Sequence, residues 1–275
     1  MRPPAPFLLL VLIAPLTTTS QVAAGQRAAV HQADGGVRET LESIVVTPLA
    51  NAPFTLTLQT EWVRTMGDAG TFTVVNERRI ARDGKGRIYE ERWALVPKNG
   101  KTKSFMTAIQ IADPLKHSLY TCMMNDEHLC HLTSYTDSTA LPHEVRETKT
   151  VTLPNDQGFV AHQDLGDGST EGIETIGTMI STTYNPGVFG NDNQFTVERE
   201  YWYSPRLGIN LVSKISDPRF GTQTFTAANV EPSEPDPTLF ELPKGFSPMD
   251  ERGSQNRRTR TSLQPPAPRY GAPSN

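Results

Sequence analysis

From Thr55 to Trp62 the chain alternates. Leu56, Leu58, Thr60 and Trp62 fall on one parity, and Thr55, Thr57, Gln59 and Glu61 on the other. A period of two sends successive side chains to opposite faces of a strand, so this stretch predicts a strand with one apolar face. The signal recurs in Gly70 to Ala81 (GTFTVVNERRIA), which follows a turn at Gly67-Asp68-Ala69-Gly70. Asp83-Gly84-Lys85-Gly86 is a tight-turn signature, and Arg87 to Val96 after it places Tyr89, Trp93 and Leu95 on one side. Further strands fit Phe105 to Ala112, Ser118 to Met123, Leu129 to Tyr135 and Phe159 to Asp164. Gly172 to Tyr184, Gln194 to Tyr203, Ile209 to Ser216 and Thr222 to Val230 complete the series.

Helical periodicity is scarce. Gly36 to Val46 brings Val37, Leu41, Ile44 and Val45 near one face at spacings of three and four, and Gly, Asn and Pro around residues 47 to 53 would stop it. Thr136 to Glu147 is a weaker helix candidate, because Pro142 sits inside it. Roughly ten strands in sequence order with few helices predict a mainly β fold, α+β only in a minor sense. Its architecture would be an antiparallel meander forming an unclosed β-barrel, with one or two short covering helices, an arrangement that limits exposed edges. The run Phe195 to Phe246 is the clearest part: alternating strands broken by Pro/Gly turns, then a Pro-rich closing segment.

The two ends read differently. Arg2, the apolar run Phe7 to Leu16 and the small residues Val22-Ala23-Ala24-Gly25 follow the order of a secretory signal, with cleavage expected near Ala24. The apolar run is about half the roughly twenty residues of a spanning helix, and no later segment is apolar enough to cross a bilayer. From Met249 onward Ser, Gln, Asn, Pro and Arg dominate, a composition that predicts disorder. The expected organisation is a signal over 1–24, a linker with a short helix over 25–52, one β-rich half-barrel domain over 53–248 and a basic tail over 249–275. The expected location is periplasmic or extracellular.

Charge removes one class of partner. The chain carries −4 overall; setting aside the +1 of the signal and the +3 of the tail leaves the folded middle at −8. Nucleic-acid binding leans on Lys and Arg against phosphate, so an acidic core argues against it.

Cys122 and Cys130 are the only cysteines. In YTCMMNDEHLCHL a turn centred on Asp126 sets them opposite each other across a hairpin, and an exported chain with an even count predicts a disulfide. Metal binding by Cys122, His128, Cys130 and His131 fits poorly, since strand alternation sends Cys130 and His131 to opposite faces. No metal and no cofactor is expected. Asp164, Asp167 and Glu171 in DLGDGSTE miss the spacing of a calcium loop and read as a glycine-rich turn between strands. Glu90-Glu91 and Glu198/Glu200 fall on outward strand positions and read as solvated charge on an edge. No G-x-S-x-G or H-E-x-x-H occurs, so no catalytic residue is assigned. In Tyr201-Trp202-Tyr203 the two tyrosines share one face and Trp202 takes the other, so one face packs the core or lines a greasy cavity.

The segment YWYSPRLGINLVSKISDPRFGTQTFTAANVEPSEPDPTLFELPKGF resembles the carboxy-terminal part of the bacterial outer-membrane lipoprotein carrier and lipoprotein-sorting (LolA-like) superfamily. An aromatic strand (Glu200 to Tyr203) precedes a turn and a strand near Leu207-Gly208-Ile209. A turn at Phe220-Gly221 leads into a Thr-rich strand ending in Asn229-Val230. The closure is Asp236-Pro237-Thr238-Leu239-Phe240 with Pro243-Lys244-Gly245-Phe246. It is also similar to exported proteins of soil bacteria with the same closing segment. The resemblance covers about 45 residues well and the rest in strand order. It implies an unclosed barrel with helices over a hydrophobic concavity that holds acyl chains, or a relative acting as an envelope-stress sensor. The disulfide hairpin, basic tail and short early helix depart from the pattern. On that basis the expected function is non-enzymatic binding of a lipid, acyl chain or lipoprotein, with Trp62, Trp93, Phe195, Tyr201 and Phe225 as candidate ligand contacts. The alternatives are an envelope protein-interaction or stress-sensor module, using its sheet edge and Arg257, Arg258 and Arg260, and an unrecognised hydrolase.

Overall fold

The computed structural model describes residues 44–67, 70–136 and 146–253, and every structural statement below concerns these residues. The chain divides into Met1–Glu39, which lies outside them, and Thr40–Asn275, which carries the fold.

Fourteen strands bond into one sheet. The first half comprises β1 (Phe54–Thr65), β2 (Thr71–Arg82), β3 (Ile88–Trp93), β4 (Val96–Pro97), β5 (Met106–Asp113), β6 (Ser118–Met123) and β7 (Leu129–Ser134). The second comprises β8 (Lys149–Thr152), β9 (Gly158–Thr170), β10 (Ile173–Tyr184), β11 (Phe195–Ser204), β12 (Ile209–Asp217) and β13 (Gly221–Glu231), and β14 (Ser247–Asp250) comes last. Across the sheet the order is β14-β7-β6-β5-β3-β2-β1-β13-β12-β11-β10-β9-β8, with β4 beside β2. Two antiparallel meanders therefore meet in the middle where β13 pairs with β1, and the sheet does not close into a barrel. The mainly β, unclosed-barrel expectation stands, and β4, β8 and β14 are short strands that sequence periodicity missed.

The alternation of β1 assigns the two faces. Phe54, Leu56 and Leu58 are buried on the inner face, where Leu56 opposes Ile80 across β2. Ile209, Leu211, Phe225 and Ala227 extend this core onto β12 and β13, and Ile44 and Val46 cover it from the chain that leads into β1. Those covering residues are not helical, so the helix read over Gly36 to Val46 does not reach them. Its earlier part lies outside the described residues, as do residues 137–145 of the second helix candidate. Thr136, Arg146 and Glu147 are not helical.

Arg82 fastens the covering segment. Its fully buried guanidinium donates to the carbonyls of Ala52 at 3.0 and 2.8 Å, Thr47 at 2.8 Å and Leu207, and lies 4.9 Å over the Phe54 ring. Burial lowers its pKa to about 10, so it stays charged at neutral pH.

The closing motif is a strap. After β13 the chain crosses the outer face to reach β7, where β14 pairs in parallel. Parallel neighbours need such a crossover. Asp236 caps a short turn of 3-10 helix (Pro237–Phe240) by accepting from the Thr238 amide at 2.9 Å. That turn seats Leu239 and Phe240 against Ala81, Tyr89 and Ile111, while Arg87 lies 4.6 Å over the Phe240 ring. Glu234 takes the Gly84 amide, and Phe246 meets His128 edge-on at 5.1 Å. Gly245 has φ +85°, a left-handed turn that a side chain would strain. β14 takes in Met249 and Asp250, and residues 254–275 of the expected tail lie outside the described residues.

Two sequence readings need correcting. DLGDGSTE is not a turn: β9 continues to Thr170, and the reversal is made by Glu171 and Gly172, both at positive φ. Its glycines serve packing, because a Cβ on Gly168, or on Gly177 of the neighbouring β10, would strike the Trp202 ring at 2.4 or 2.8 Å. Glu90-Glu91 do not sit on an edge either. β3 lies between β2 and β5, Glu90 pairs with Arg92 at 2.9 Å, and Glu91 is held by Tyr89, Trp93 and the Arg79 amide.

Cys122 and Cys130 form the disulfide between directly paired positions of β6 and β7. So short a loop constrains the unfolded chain by about 2.5 kcal/mol on the chain-entropy model. The double variant Cys122→Ala/Cys130→Ala is expected to fold with its unfolding free energy lowered by about that amount, as read from the urea midpoint and slope by far-UV circular dichroism.

Candidate functional site

A cavity lies on each face of the sheet. The inner one has a volume of about 370 Å³ and lies between the covering segment and β3, β5 and β6. Its apolar wall is Ile44, Val46, Ile88, Ala112, Leu119 and Tyr135; the polar end is Glu90, Arg92 and Gln110. The strand register explains this division. Ile88 opposes Ala112 and Ala112 opposes Leu119, so small and branched residues align across three strands. Two residues along β3, Glu90 opposes Gln110, which opposes Thr121. Arg92 joins that row, donating to Gln110 at 2.8 Å and pairing with Glu90. The site can therefore hold an apolar chain at one end and a polar head at the other. The inner face is not greasy throughout, since Thr60, Thr178, Ser213 and Gln223 are also buried.

The outer cavity is larger, about 980 Å³. Thr57, Gln59 and Glu61 of β1, Val75, Glu77 and Arg79 of β2, and Thr224 and Thr226 of β13 form its floor. Glu91, Trp93, Val96, Lys98 and Ser104 build a wall, because residues 94–105 fold back so that β4 pairs with β2. Gln59 donates to Glu77 at 3.1 Å and Lys98 to Glu61 at 2.8 Å.

The five residues singled out from the sequence do not converge on either cavity. Trp93 lines the outer one, its indole N–H donating to Glu91 at 2.8 Å. Phe225 is a fully buried member of the inner core. Trp62 lies on the β1 parity of that core and donates to the Phe220 carbonyl at 2.8 Å. Tyr201 faces Ser213 and Thr178 on the same side. Phe195 belongs to a cluster at the β10–β11 turn, 5.4 Å from Tyr184 and 6.0 Å from Phe189. Arg219 sits over Phe189, Phe195 and Phe220 at 4.8 to 5.1 Å and is tied to Asp217 at 2.6 Å. Burial pushes the Asp217 carboxyl up, but the Arg219 hydrogen bonds outweigh that and hold it below the usual carboxylate range.

The residues that line the inner cavity were missed in the sequence because each looks like ordinary strand filling. Only register puts them together. Among the described residues no group of three or more His, Cys, Asp and Glu is placed to hold a metal ion. The quartet considered for metal is dispersed: the cysteines are bonded to each other, His128 packs on Phe246, and His131 pairs with Glu251 at 2.9 Å. No described helix is long and apolar enough to cross a membrane.

No family model and no curated protein matches the chain. Solved structures do. LprF from Mycobacterium bovis is matched over 67% of this chain and 90% of its own, at 13% identity and a TM-score of 0.27. A DUF1329 family protein from Desulfovibrio piger is matched over 70% and 90%, at 10% identity and a TM-score of 0.18. A putative outer membrane lipoprotein-sorting protein domain from Vibrio parahaemolyticus is matched over 69% and 89%, at 6% identity and a TM-score of 0.18. The architecture itself stands on the strand pairing.

Proposed function

We propose that this protein is an exported, non-enzymatic binder of a lipid, acyl chain or lipoprotein, held in the inner cavity. The observation that carries the reading is the division of that cavity into an apolar wall of Ile88, Ala112, Leu119 and Val46 and a polar end of Glu90, Arg92 and Gln110. At about 370 Å³ it falls within the range of ordinary ligand pockets. An amphiphile would bury its chain against the wall and exchange head-group hydrogen bonds with the Arg92 row. Export rests on the amino-terminal pattern.

The test is direct. Purified protein should retain extractable lipid by mass spectrometry and bind a fluorescent fatty acid. Ala112→Trp, which fills the apolar wall, should weaken that binding at least about tenfold, ~1.4 kcal/mol. Absence of both lipid and fatty-acid binding, or binding unaltered by Ala112→Trp in a folded variant, would remove the reading.

A further inference from the structure

We infer that the outer cavity is a second, independent binding site, and that its ligand is a neutral oligosaccharide stacked on Trp93. Its chemistry is the opposite of the inner cavity's. The floor carries Thr, Gln, Glu and Arg side chains in rows, and Trp93 is the one aromatic residue in its lining. Sugars present apolar C–H faces flanked by hydroxyls, so they need a flat aromatic surface beside fixed donors and acceptors. An indole supplies the first without losing much rotamer freedom.

Charge selects the neutral class. The lining carries three carboxylates, Glu61, Glu77 and Glu91, and three cations, Arg78, Arg79 and Lys98, so its charge is balanced. Most of that charge is already committed. Lys98 is bonded to Glu61, Gln59 to Glu77, and Glu91 accepts from Tyr89 at 3.0 Å, from Trp93 and from the Arg79 amide. The lining offers no net charge to attract a strongly charged ligand, whereas hydroxyls can bond to either sign.

Preorganisation supports the same choice. The Glu91 contacts hold the Trp93 ring in place before any ligand arrives, which lowers the ordering cost of binding. Other polar groups lie beside it. The Arg79 guanidinium is exposed, and the Thr224 and Thr226 side chains line the same cavity. A guanidinium N–H can donate to a sugar hydroxyl oxygen.

Isothermal titration of the full chain with cellohexaose, chitohexaose and maltohexaose checks this. At least one should bind with a Kd of about 1 mM or tighter. Trp93→Ala should weaken it at least about tenfold, ~1.4 kcal/mol, and Arg79→Ala, at an exposed site, should weaken it severalfold with Tm unchanged. Fatty-acid binding should persist in Arg79→Ala, which separates this site from the inner one. The inference fails if none of the three binds at millimolar concentration. It fails equally if folded Trp93→Ala and Arg79→Ala both bind as tightly as the parent, or if only an anionic hyaluronan hexamer is captured.

Discussion

Replacing Arg82 by leucine is expected to lower the stability of the fold by about 3–5 kcal/mol, because three backbone carbonyls lose their donor at about 1–3 kcal/mol each. For a domain of this size that is a fall in Tm of roughly 6–20 °C in a calorimetric scan. Three carbonyls would be left without donors: Ala52, Thr47 and Leu207. Each buried acceptor that loses its partner bears its own desolvation cost. Arg82→Lys keeps the charge but loses the planar fork that reaches several carbonyls at once, so an intermediate loss is expected. Both variants loosen the segment that carries Ile44 and Val46, so fatty-acid affinity should fall along with Tm. A leucine variant as stable as the parent would show that Arg82 does not fasten the covering segment.

Phe225→Ala is the second large effect. Phe225 is 1% exposed and packs in the inner core, opposite Thr60 on β1 and Ser213 on β12. Truncating a buried phenylalanine costs about 3–5 kcal/mol, part from lost transfer energy and part from the cavity left behind. The denaturant midpoint should drop with the slope unchanged. If Phe225 instead lined an open ligand face, the midpoint would barely move and only ligand affinity would change. The measurement therefore decides between core and binding surface for a residue that periodicity cannot place.

Much of the architecture was legible from alternation. β1, β2, β6 and β7 fall where the period of two puts them, because each has one buried and one wet face that imprints on sequence. The hairpin disulfide was legible too, since a turn at Asp126 fixes which residues face each other. The glycine-rich stretch misled for a physical reason. Gly166 and Gly168 look like turn residues, but Gly168 is small because Trp202, far along the chain, lies across β9 and β10. Likewise the Thr and Gln rows of β1 and β13 read as solvent-facing, and they become a cavity floor only once β4 folds back over β2.

Strand positions, the disulfide partners, the acidic middle and the closing motif were determined by the chain alone, because they depend on neighbours a few residues apart. Pairing of β13 with β1, and the strap laid over the outer face, were decided by tertiary structure. So were the two cavities of opposite chemistry. Those features rest on contacts between residues more than a hundred positions apart, such as Arg82 with Leu207 and Gly84 with Glu234. A local period cannot encode such contacts, because it specifies which face a side chain takes and leaves open what will cover it.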